Sequence, residues 1–219
     1  MAKVKAYKGI GMEGPIATWY ARNTRGEGRA YAKCARAVAN GLAPGARVLE
    51  VAPGPGYLAL EIAKLGDFRV TGLDVSRSFV RMARENARAA GLDVDFQQGD
   101  AAHLPFPAAS FDAAVCRAAF KNFSDPLGAL NELHRVLRPG AVARIYDLRR
   151  DAGPGEIDAE VARMDLSAVN RWLTKWTFRN MLCKRAFGDA ELRELCARSR
   201  FGKGELAADG IEFELRLAR

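Results

Sequence analysis

Short apolar runs alternate with amphipathic stretches through the middle of the chain. Five runs predict strands, at residues 47–52, 68–74, 93–98, 111–116 and 141–147. Apolar residues at helical spacing predict helices between them, at residues 57–64, 77–90 and 126–137. Ser76 and Asp125 precede two of these helices as expected N-caps, and Gly91 ends one of them. Strands that alternate with helices predict a parallel sheet covered on both faces.

The two ends of the chain have a different pattern. A helix is predicted at residues 29–40, before the first strand. Residues 153–184 predict two helices and no strand, and residues 190–198 predict another helix. Residues 205–208 and 211–217 then predict a β-hairpin around Asp209-Gly210. We therefore expect one domain over residues 1–219. It comprises a cap segment (1–44), a core (45–150), a helical lid (151–188), and a last helix with a hairpin (189–219).

Composition narrows the classes of partner. The formal charge is +8, but the basic residues are scattered, so the sequence does not favour a nucleic-acid partner. No apolar run approaches the roughly 20 residues that cross a bilayer, so no membrane partner is expected. Four cysteines are dispersed without a CxxC pair, which argues against disulfides and against a metal site. With no apolar leader at the start of the chain, a cytoplasmic location is expected.

An acidic strand end followed by a glycine turn is the main candidate site. Glu50 lies in the first strand, and Pro53-Gly54-Pro55-Gly56 forces a tight turn before the next helix. Glycines let a ligand approach the backbone, and the helix start offers free N–H donors. With Asp74 at the end of the next strand, the turn predicts a ligand that carries hydroxyl groups and a positive charge.

The turn alone leaves two cofactor classes open. Gly54-x-Gly56-x-x-Ala59 matches the dinucleotide fingerprint, and Asp74 lies about twenty residues further on. On that motif an NAD(P)-dependent oxidoreductase is credible.

Further motifs point to another family. The third strand is followed by Gly99-Asp100-Ala101-Ala102-His103-Leu104-Pro105-Phe106, Ser110-Phe111-Asp112 opens the fourth, and residues 135–140 (RVLRPG) precede the fifth. With the turn at 50–56, this series resembles the class I S-adenosylmethionine (SAM)-dependent methyltransferases over about residues 45–146. The resemblance is greatest to the small-molecule group that includes the ubiquinone and menaquinone C-methyltransferases. Ala52 replaces that family's first glycine, an exchange expected to be tolerable if φ stays negative.

The resemblance implies a fold and a set of cofactor contacts. The fold is an α/β Rossmann-like three-layer sandwich, with a mostly parallel seven-stranded sheet and an antiparallel C-terminal hairpin strand. Asp74 would accept the ribose hydroxyls, Asp100 and Ala101 would bind adenine, and Val75 and Leu104 would sandwich the ring. Glu50 would bind the methionine ammonium, while Arg117 would face the methionine carboxylate or the substrate. The remaining implied contacts are the backbone of the turn, at Ala52, Gly54 and Gly56, and Tyr20 as a cap over the carboxylate.

The implied reaction is in-line transfer of the SAM methyl group to an O, N, S or C nucleophile, leaving S-adenosylhomocysteine. No catalytic residue is assigned, because a general base is needed only for poorly acidic nucleophiles. Lys121, Asn122 and Phe123 are expected beside the methyl group. The aromatic residues of the lid, Trp172, Trp176 and Phe178, predict an aromatic acceptor, and its basic residues an anionic one. A SAM-binding protein without transferase activity and an RNA-directed methyltransferase stay open, as does a monomer or a homodimer.

Overall fold

A seven-stranded sheet forms the middle layer of the computed structural model, which describes residues 6–8, 11–164 and 167–219. The strand order is β3-β2-β1-β4-β5-β7-β6. Strands β1 to β5 are parallel, β7 pairs antiparallel with β5, and β6 pairs antiparallel with β7. The strands are β1 (Arg47–Val51), β2 (Arg69–Asp74), β3 (Val94–Gln98), β4 (Phe111–Arg117), β5 (Leu137–Leu148), β6 (Glu205–Asp209) and β7 (Glu212–Ala218). The predicted fold class is confirmed.

Helices cover both faces of the sheet. They are α1 (Gly14–Thr24), α2 (Gly28–Ala39), α3 (Tyr57–Ala63), α4 (Arg77–Ala90), α5 (Pro126–Val136), α6 (Pro154–Ala162), α7 (Ala168–Thr177), α8 (Cys183–Arg185) and α9 (Asp189–Arg198). Successive side chains of β1 point to opposite faces, as they do in any strand. Val48 packs with α2, α3 and α4, whereas Leu49 packs with α5 and α9. Because the two faces of the sheet pack on different helices, the fold has the three layers of the predicted sandwich.

The fifth strand begins earlier than predicted. Leu137 already pairs with Phe111, and the register shifts before Ala113 pairs with Val142. The Arg138-Pro139-Gly140 segment therefore lies within β5 as an irregularity, rather than before the strand. Ser110 N–H donates to the Val136 carbonyl at 2.7 Å and fixes this junction.

Helix α1 was not predicted from the sequence. It begins at Gly14-Pro15, where proline suits the first turn of a helix. Glu13 fixes its start to α4: the Glu13 carboxylate accepts hydrogen bonds from the backbone N–H groups of Arg77 (2.9 Å) and Ser78 (3.1 Å). The Ser78 hydroxyl also donates to Glu13 at 2.6 Å. These long-range contacts stabilise α1 although its sequence mixes glycines with apolar residues.

The insertion between β5 and α9 differs from the predicted lid. Helix α7 is followed by a π-helical turn at Phe178–Leu182 and by α8. No residue of α7 is buried, and Trp172 is 67% exposed. Residues 165–166 of the predicted lid, and residues 1–5 and 9–10 of the predicted cap segment, lie outside the described residues.

The four cysteines are free thiols in separate elements, and all four are buried. Cys34 lies in α2, Cys116 in β4, Cys183 in α8 and Cys196 in α9. Among the described residues, no helix is long and apolar enough to cross a membrane.

Candidate functional site

A cavity of about 270 Å³ lies at the carboxyl edge of the sheet, where β1, β2, β3 and β4 end. This is the edge at which parallel α/β sheets bind ligands. Most of the predicted site residues line it. They are Tyr20, Glu50, Ala52, Gly54, Asp74, Val75, Asp100, Ala101 and Arg117.

Glu50 places an unpartnered carboxylate oxygen beside this cavity. The residue is 2% exposed, and Glu50 Oε2 has no hydrogen-bond partner among the described residues. Burial raises the pKa of Glu50 to about 8, because the charged form loses its solvation. A buried carboxylate without a partner is costly, so the site suits a ligand that brings a cation or hydrogen-bond donor to Oε2.

Asp74 holds the glycine turn in place. Asp74 Oδ2 accepts the Gly54 N–H at 2.9 Å, and Asp74 Oδ1 accepts the Ser76 N–H at 2.8 Å. Burial raises the pKa of Asp74 despite these hydrogen bonds. Each carboxylate oxygen can accept more than one hydrogen bond, so ligand hydroxyls could still bind here. The carboxylate therefore has a structural function, and a ligand contact at Asp74 would be additional.

The turn itself uses the left-handed region of backbone conformation. Ala52 has φ +57°, so the condition under which alanine was expected to be tolerable is not met: alanine takes the conformation that glycine adopts most easily. Ala52 N–H donates to the Leu73 carbonyl at 2.8 Å, which holds the alanine in this conformation. Ala118, at the end of the adjacent strand β4, also has φ +57° and lines the cavity. Strain of this kind is found at ligand sites.

Gly56 has surroundings different from those predicted. It is not among the cavity-lining residues, and it has φ +84°. A Cβ there would lie 2.8 Å from Phe96 Cζ and 3.0 Å from Ala83 Cβ. Gly56 therefore permits the close packing of the turn against β3 and α4, and its contact with a ligand stays a prediction.

Asp100 and Ala101 line the far side of the cavity, while Leu104 does not line it. Asp100 Oδ1 accepts the Ala102 N–H at 3.0 Å. Leu104 is buried in the core with α5, so of the expected pair Val75 and Leu104 only Val75 lines the cavity. Val75, which is 40% exposed, remains beside the cavity.

Arg117 is held in an ion-pair network at the end of β4. Its guanidinium donates to Glu212 (3.1 Å) and to Glu27 (3.5 Å), and lies 5.8 Å from the centre of the Tyr31 ring. Ion pairing with Glu212 and Glu27 outweighs burial and raises the pKa of Arg117. Neither carboxylate partner was predicted. The Arg117 side chain is only 10% exposed. Because it is already paired, it is not a free cation for a methionine carboxylate.

Aromatic residues form one wall of the cavity. Tyr20 packs 5.6 Å from Phe79 between ring centres, and Tyr7 and Tyr31 also line the cavity. Burial raises the pKa of all three tyrosines, so the phenols stay protonated. Trp19, the neighbour of Tyr20 on α1, is 66% exposed and does not line the cavity. Of these three tyrosines, only Tyr20 is a predicted site residue.

The loop after β4 contributes less than expected. Asn122 and Phe123 line the cavity, but Lys121 is paired with buried Asp147 at 2.5 Å and does not line it. Both histidines lie elsewhere: the His103 side chain is 83% exposed, and His134 packs on Phe201. In the part of the chain that the structure describes, no group of three or more metal-ligating side chains occurs. Trp172, Trp176 and Phe178 of the insertion do not line the cavity either.

Comparison with known proteins gives one family model that is similar to part of this core. Residues 49–145 match the family described as "Methyltransferase domain". The chain is 42% identical over 115 residues to 2-phytyl-1,4-naphtoquinone methyltransferase of Synechococcus elongatus, covering 51% of this chain and 49% of that protein. The chain therefore spans about half the length of this relative.

Solved structures extend the similarity to the whole fold. A protein of Methanococcus maripaludis assigned as a SAM-dependent methyltransferase has a TM-score of 0.76 at 19% identity, covering 100% of this chain and 97% of that one. The [4+2]-cyclase SpnF has a TM-score of 0.59 at 28% identity, covering 81% of this chain and 58% of that one. The resemblance found in the motifs is thus confirmed: residues 49–145 are similar to methyltransferase domains, and the chain has the fold of a SAM-dependent methyltransferase.

Proposed function

We propose that this chain transfers the methyl group of SAM to a small-molecule acceptor by in-line displacement. One observation carries the proposal: Glu50 Oε2 is a buried carboxylate oxygen without a hydrogen-bond partner, in a cavity that also exposes Asp74 and Asp100. The ammonium of SAM would satisfy Oε2, while the other two carboxylates would accept hydrogen bonds from hydroxyl and amino groups. These three hydrogen-bond acceptors thus fit an amino acid joined to a nucleoside.

We assign the cofactor contacts along the strand ends. Glu50 would bind the ammonium, and the backbone of Ala52 and Gly54 would pass beside the methionine part. Asp74 would accept ribose hydroxyls, with Val75 against the adenine. Asp100 and Ala101 would bind the adenine edge, with Tyr20 covering the methionine end. Arg117 is not assigned to the cofactor, because its guanidinium is already bound by two carboxylates. It orients the Glu27 and Tyr31 wall instead.

When bound, SAM supplies an electrophilic methyl group on a sulfonium sulfur. The chain's contribution would be to orient the acceptor and to exclude water. Phe79 and Phe123 give the cavity an apolar surface, and the loss of solvation around half-buried Tyr20 raises the pKa of its phenol, which stays protonated. No histidine lines the described cavity, so the proposed transfer relies on positioning rather than on a histidine base.

The charge of the cavity argues for an uncharged, planar acceptor. Among the residues that the structure describes, five acidic ones line it (Glu13, Glu27, Glu50, Asp74 and Asp100), against Arg117 as the one basic residue. Arg117 is neutralised by Glu27 and Glu212, so the described lining offers an anionic acceptor no unpaired cation. The tyrosine and phenylalanine wall suits an aromatic ring. The relative named for a naphthoquinone acts on such a ring, and we propose a similar class of acceptor here.

A panel of acceptors tests the proposal. Protein, SAM and hydroquinones, phenols, amines or aromatic carboxylates are incubated together, and S-adenosylhomocysteine and methylated product are measured by mass spectrometry. We expect turnover with uncharged aromatic acceptors and little with carboxylates. Absence of SAM binding in calorimetry, or binding of NAD(P) instead, would overturn the proposal. Salt-dependent binding and methylation of RNA would favour the RNA-directed alternative.

A second candidate is a SAM-binding protein without transferase activity. The chain is 28% identical to a [4+2]-cyclase, a protein named for a reaction other than methyl transfer. This similarity supports the second candidate. SAM binding without methyl transfer across the panel would select this candidate. For the cellular setting we propose the cytoplasm, because the four cysteines are free thiols. Monomer and homodimer both remain compatible with the proposed activity.

A further inference from the structure

Helix α7 presents its apolar side chains to solvent. Val169, Trp172, Leu173 and Trp176 have spacings of three and four residues, so they share one helix face. They are 75%, 67%, 51% and 46% exposed. The less exposed positions of the same helix are polar: Thr174, Lys175 and Thr177 are half-buried. This is the reverse of a surface helix in a globular protein, whose apolar face packs on the core.

The charges around this face are of one sign. Residues 167–188 contain five basic residues and no acidic residue. Lys175 and Arg179 pair with Asp158 of α6, at 3.1 and 2.9 Å. Lys184 and Arg185 are exposed, and neither has an ion-pair partner within the described ranges. The segment therefore combines an outward apolar face with basic side chains beyond it.

All three tryptophans of the chain are exposed to solvent. Trp172 and Trp176 lie on α7, and Trp19 on α1 is 66% exposed beside Ile16, which is 43% exposed. Tryptophan has an apolar ring and a polar N–H, a combination enriched at membrane–water interfaces. Helix α1 supplies Tyr20 to the cavity, and the insertion leaves the sheet at the carboxyl end of β5. Trp19 therefore stands on a helix of the cavity wall, and Trp172 and Trp176 stand on the insertion that begins at the same edge of the sheet.

We propose that α7 binds the surface of an anionic phospholipid bilayer, with its apolar face in the headgroup region. An amphipathic helix with tryptophan and leucine on one side and lysine and arginine on the other is suited to lie in that plane. Anionic headgroups complement the basic segment, and each basic residue near the surface adds attraction. A second copy of the chain is the less favoured occupant, because two such segments would bring like charges together. None of the described helices is suited to cross a bilayer. The proposal is that α7 contacts the surface of a bilayer without crossing it.

A pair of leucine variants tests the proposal. Leu173 is 51% exposed on α7, and Leu65 is 45% exposed after α3, at the opposite edge of the sheet. Leu173→Ser and Leu65→Ser therefore remove the same apolar group from two similarly exposed positions, while every tryptophan is kept as a fluorescent reporter. The probes are phosphatidylcholine vesicles with and without phosphatidylglycerol, without SAM or acceptor. Co-sedimentation and tryptophan emission are measured, with circular dichroism as the check of folding.

We expect the unsubstituted chain to bind the phosphatidylglycerol vesicles with a blue shift of tryptophan emission, and to bind much more weakly at high salt. Leu173→Ser should weaken vesicle binding by about fivefold, and Leu65→Ser should leave it unchanged. Equal loss in both variants, equal binding to neutral vesicles, or no vesicle binding would overturn the proposal. A concentration-dependent dimer that Leu173→Ser dissociates, without vesicle binding, would assign the face to a second copy. Because no cofactor is present, these outcomes are independent of the proposed methyl transfer.

Discussion

Asp74 accepts the Gly54 N–H at 2.9 Å, so the acid that ends β2 fixes the turn that follows β1. Asp74→Ala should therefore have two effects. The free energy of unfolding should fall by about 1–3 kcal/mol, because the buried N–H groups of Gly54 and Ser76 lose their acceptor. Affinity for S-adenosylhomocysteine should fall as well. Urea unfolding and calorimetry measure the two effects separately.

Asp95→Ala is the matched control for Asp74→Ala. Asp95 is exposed on the neighbouring strand β3, and its carboxylate accepts a hydrogen bond from the Gln97 side chain. We expect a change in unfolding free energy within about 0.5 kcal/mol and no change in affinity. If Asp74→Ala unfolded as readily as this control but lost the ligand, the hydrogen bond to the turn would contribute nothing.

Glu50 should make stability depend on pH. Its pKa is raised from 4.5 to about 8 in the folded chain, so the folded state holds a proton that the unfolded state has lost. The stabilising contribution is complete below pH 4.5 and is lost as the pH rises through about 8, with a slope of at most about 1.4 kcal/mol per pH unit. Glu50→Gln should remove this slope from urea unfolding measured across the window.

The same substitution should affect ligand binding. A bound cation favours the ionised carboxylate, so binding of S-adenosylhomocysteine should release a proton and strengthen as the pH approaches 8. Glu50→Gln should abolish the proton release and weaken binding about tenfold. Glu61→Gln, which alters a surface ion pair of α3 with Lys64, should do neither. An unchanged pH dependence in Glu50→Gln would reject Glu50 as the ammonium site.

Replacing Ala52 with glycine should cost less folding stability than the same replacement at most alanines. At φ +57° the methyl group costs about 1–2 kcal/mol, while glycine costs about 0.5–1 kcal/mol in lost chain entropy. Ala52→Gly should therefore leave the free energy of unfolding unchanged or raise it by about 1 kcal/mol. Ala89→Gly, at an exposed position within α4, should lower it by about 0.5–1 kcal/mol. Thermal and urea unfolding of the two variants give the comparison, and equal losses would contradict the assigned strain.

Alanine substitutions at Gly56 and Gly91 can distinguish the cost of backbone strain from the cost of a steric clash. Both have positive φ, but a Cβ at Gly56 would meet Phe96 at 2.8 Å, whereas a Cβ at Gly91 would meet nothing within 4 Å. Gly91→Ala should cost about 1–2 kcal/mol from backbone conformation alone. Gly56→Ala should cost a further 1–3 kcal/mol, roughly the penalty of overpacking. Similar losses in urea unfolding would mean that Phe96 moves aside freely.

The sheet and the acids at its edge were predictable because they depend on local pattern. Asp74 ends one predicted strand and Asp100 closely follows another, and parallel strands bring such ends to one edge. Helix α1 was missed because its start depends on Glu13 contacting α4, more than sixty residues away. The Pro15 in its first turn was the one local signal for it.

The partners of Arg117 were beyond any local pattern. Glu212 lies 95 residues away along the chain and reaches Arg117 from β7, two strands away in the sheet order. The positive φ of Ala52 and Ala118 also has no signature in the sequence, since alanine seldom adopts it. Long-range pairing and backbone strain therefore account for most of what the motifs did not predict at this site.

The distribution of the cysteines makes the chain suitable for measuring which layer opens first. Cys116 lies in the central sheet, Cys34 and Cys196 lie in helices on opposite faces, and Cys183 lies within the insertion. Since all four thiols are buried, a thiol-specific reagent can label each of them only after its own surroundings open. The order of labelling, determined by peptide mass spectrometry, would therefore rank the layers by their local stability without any substitution.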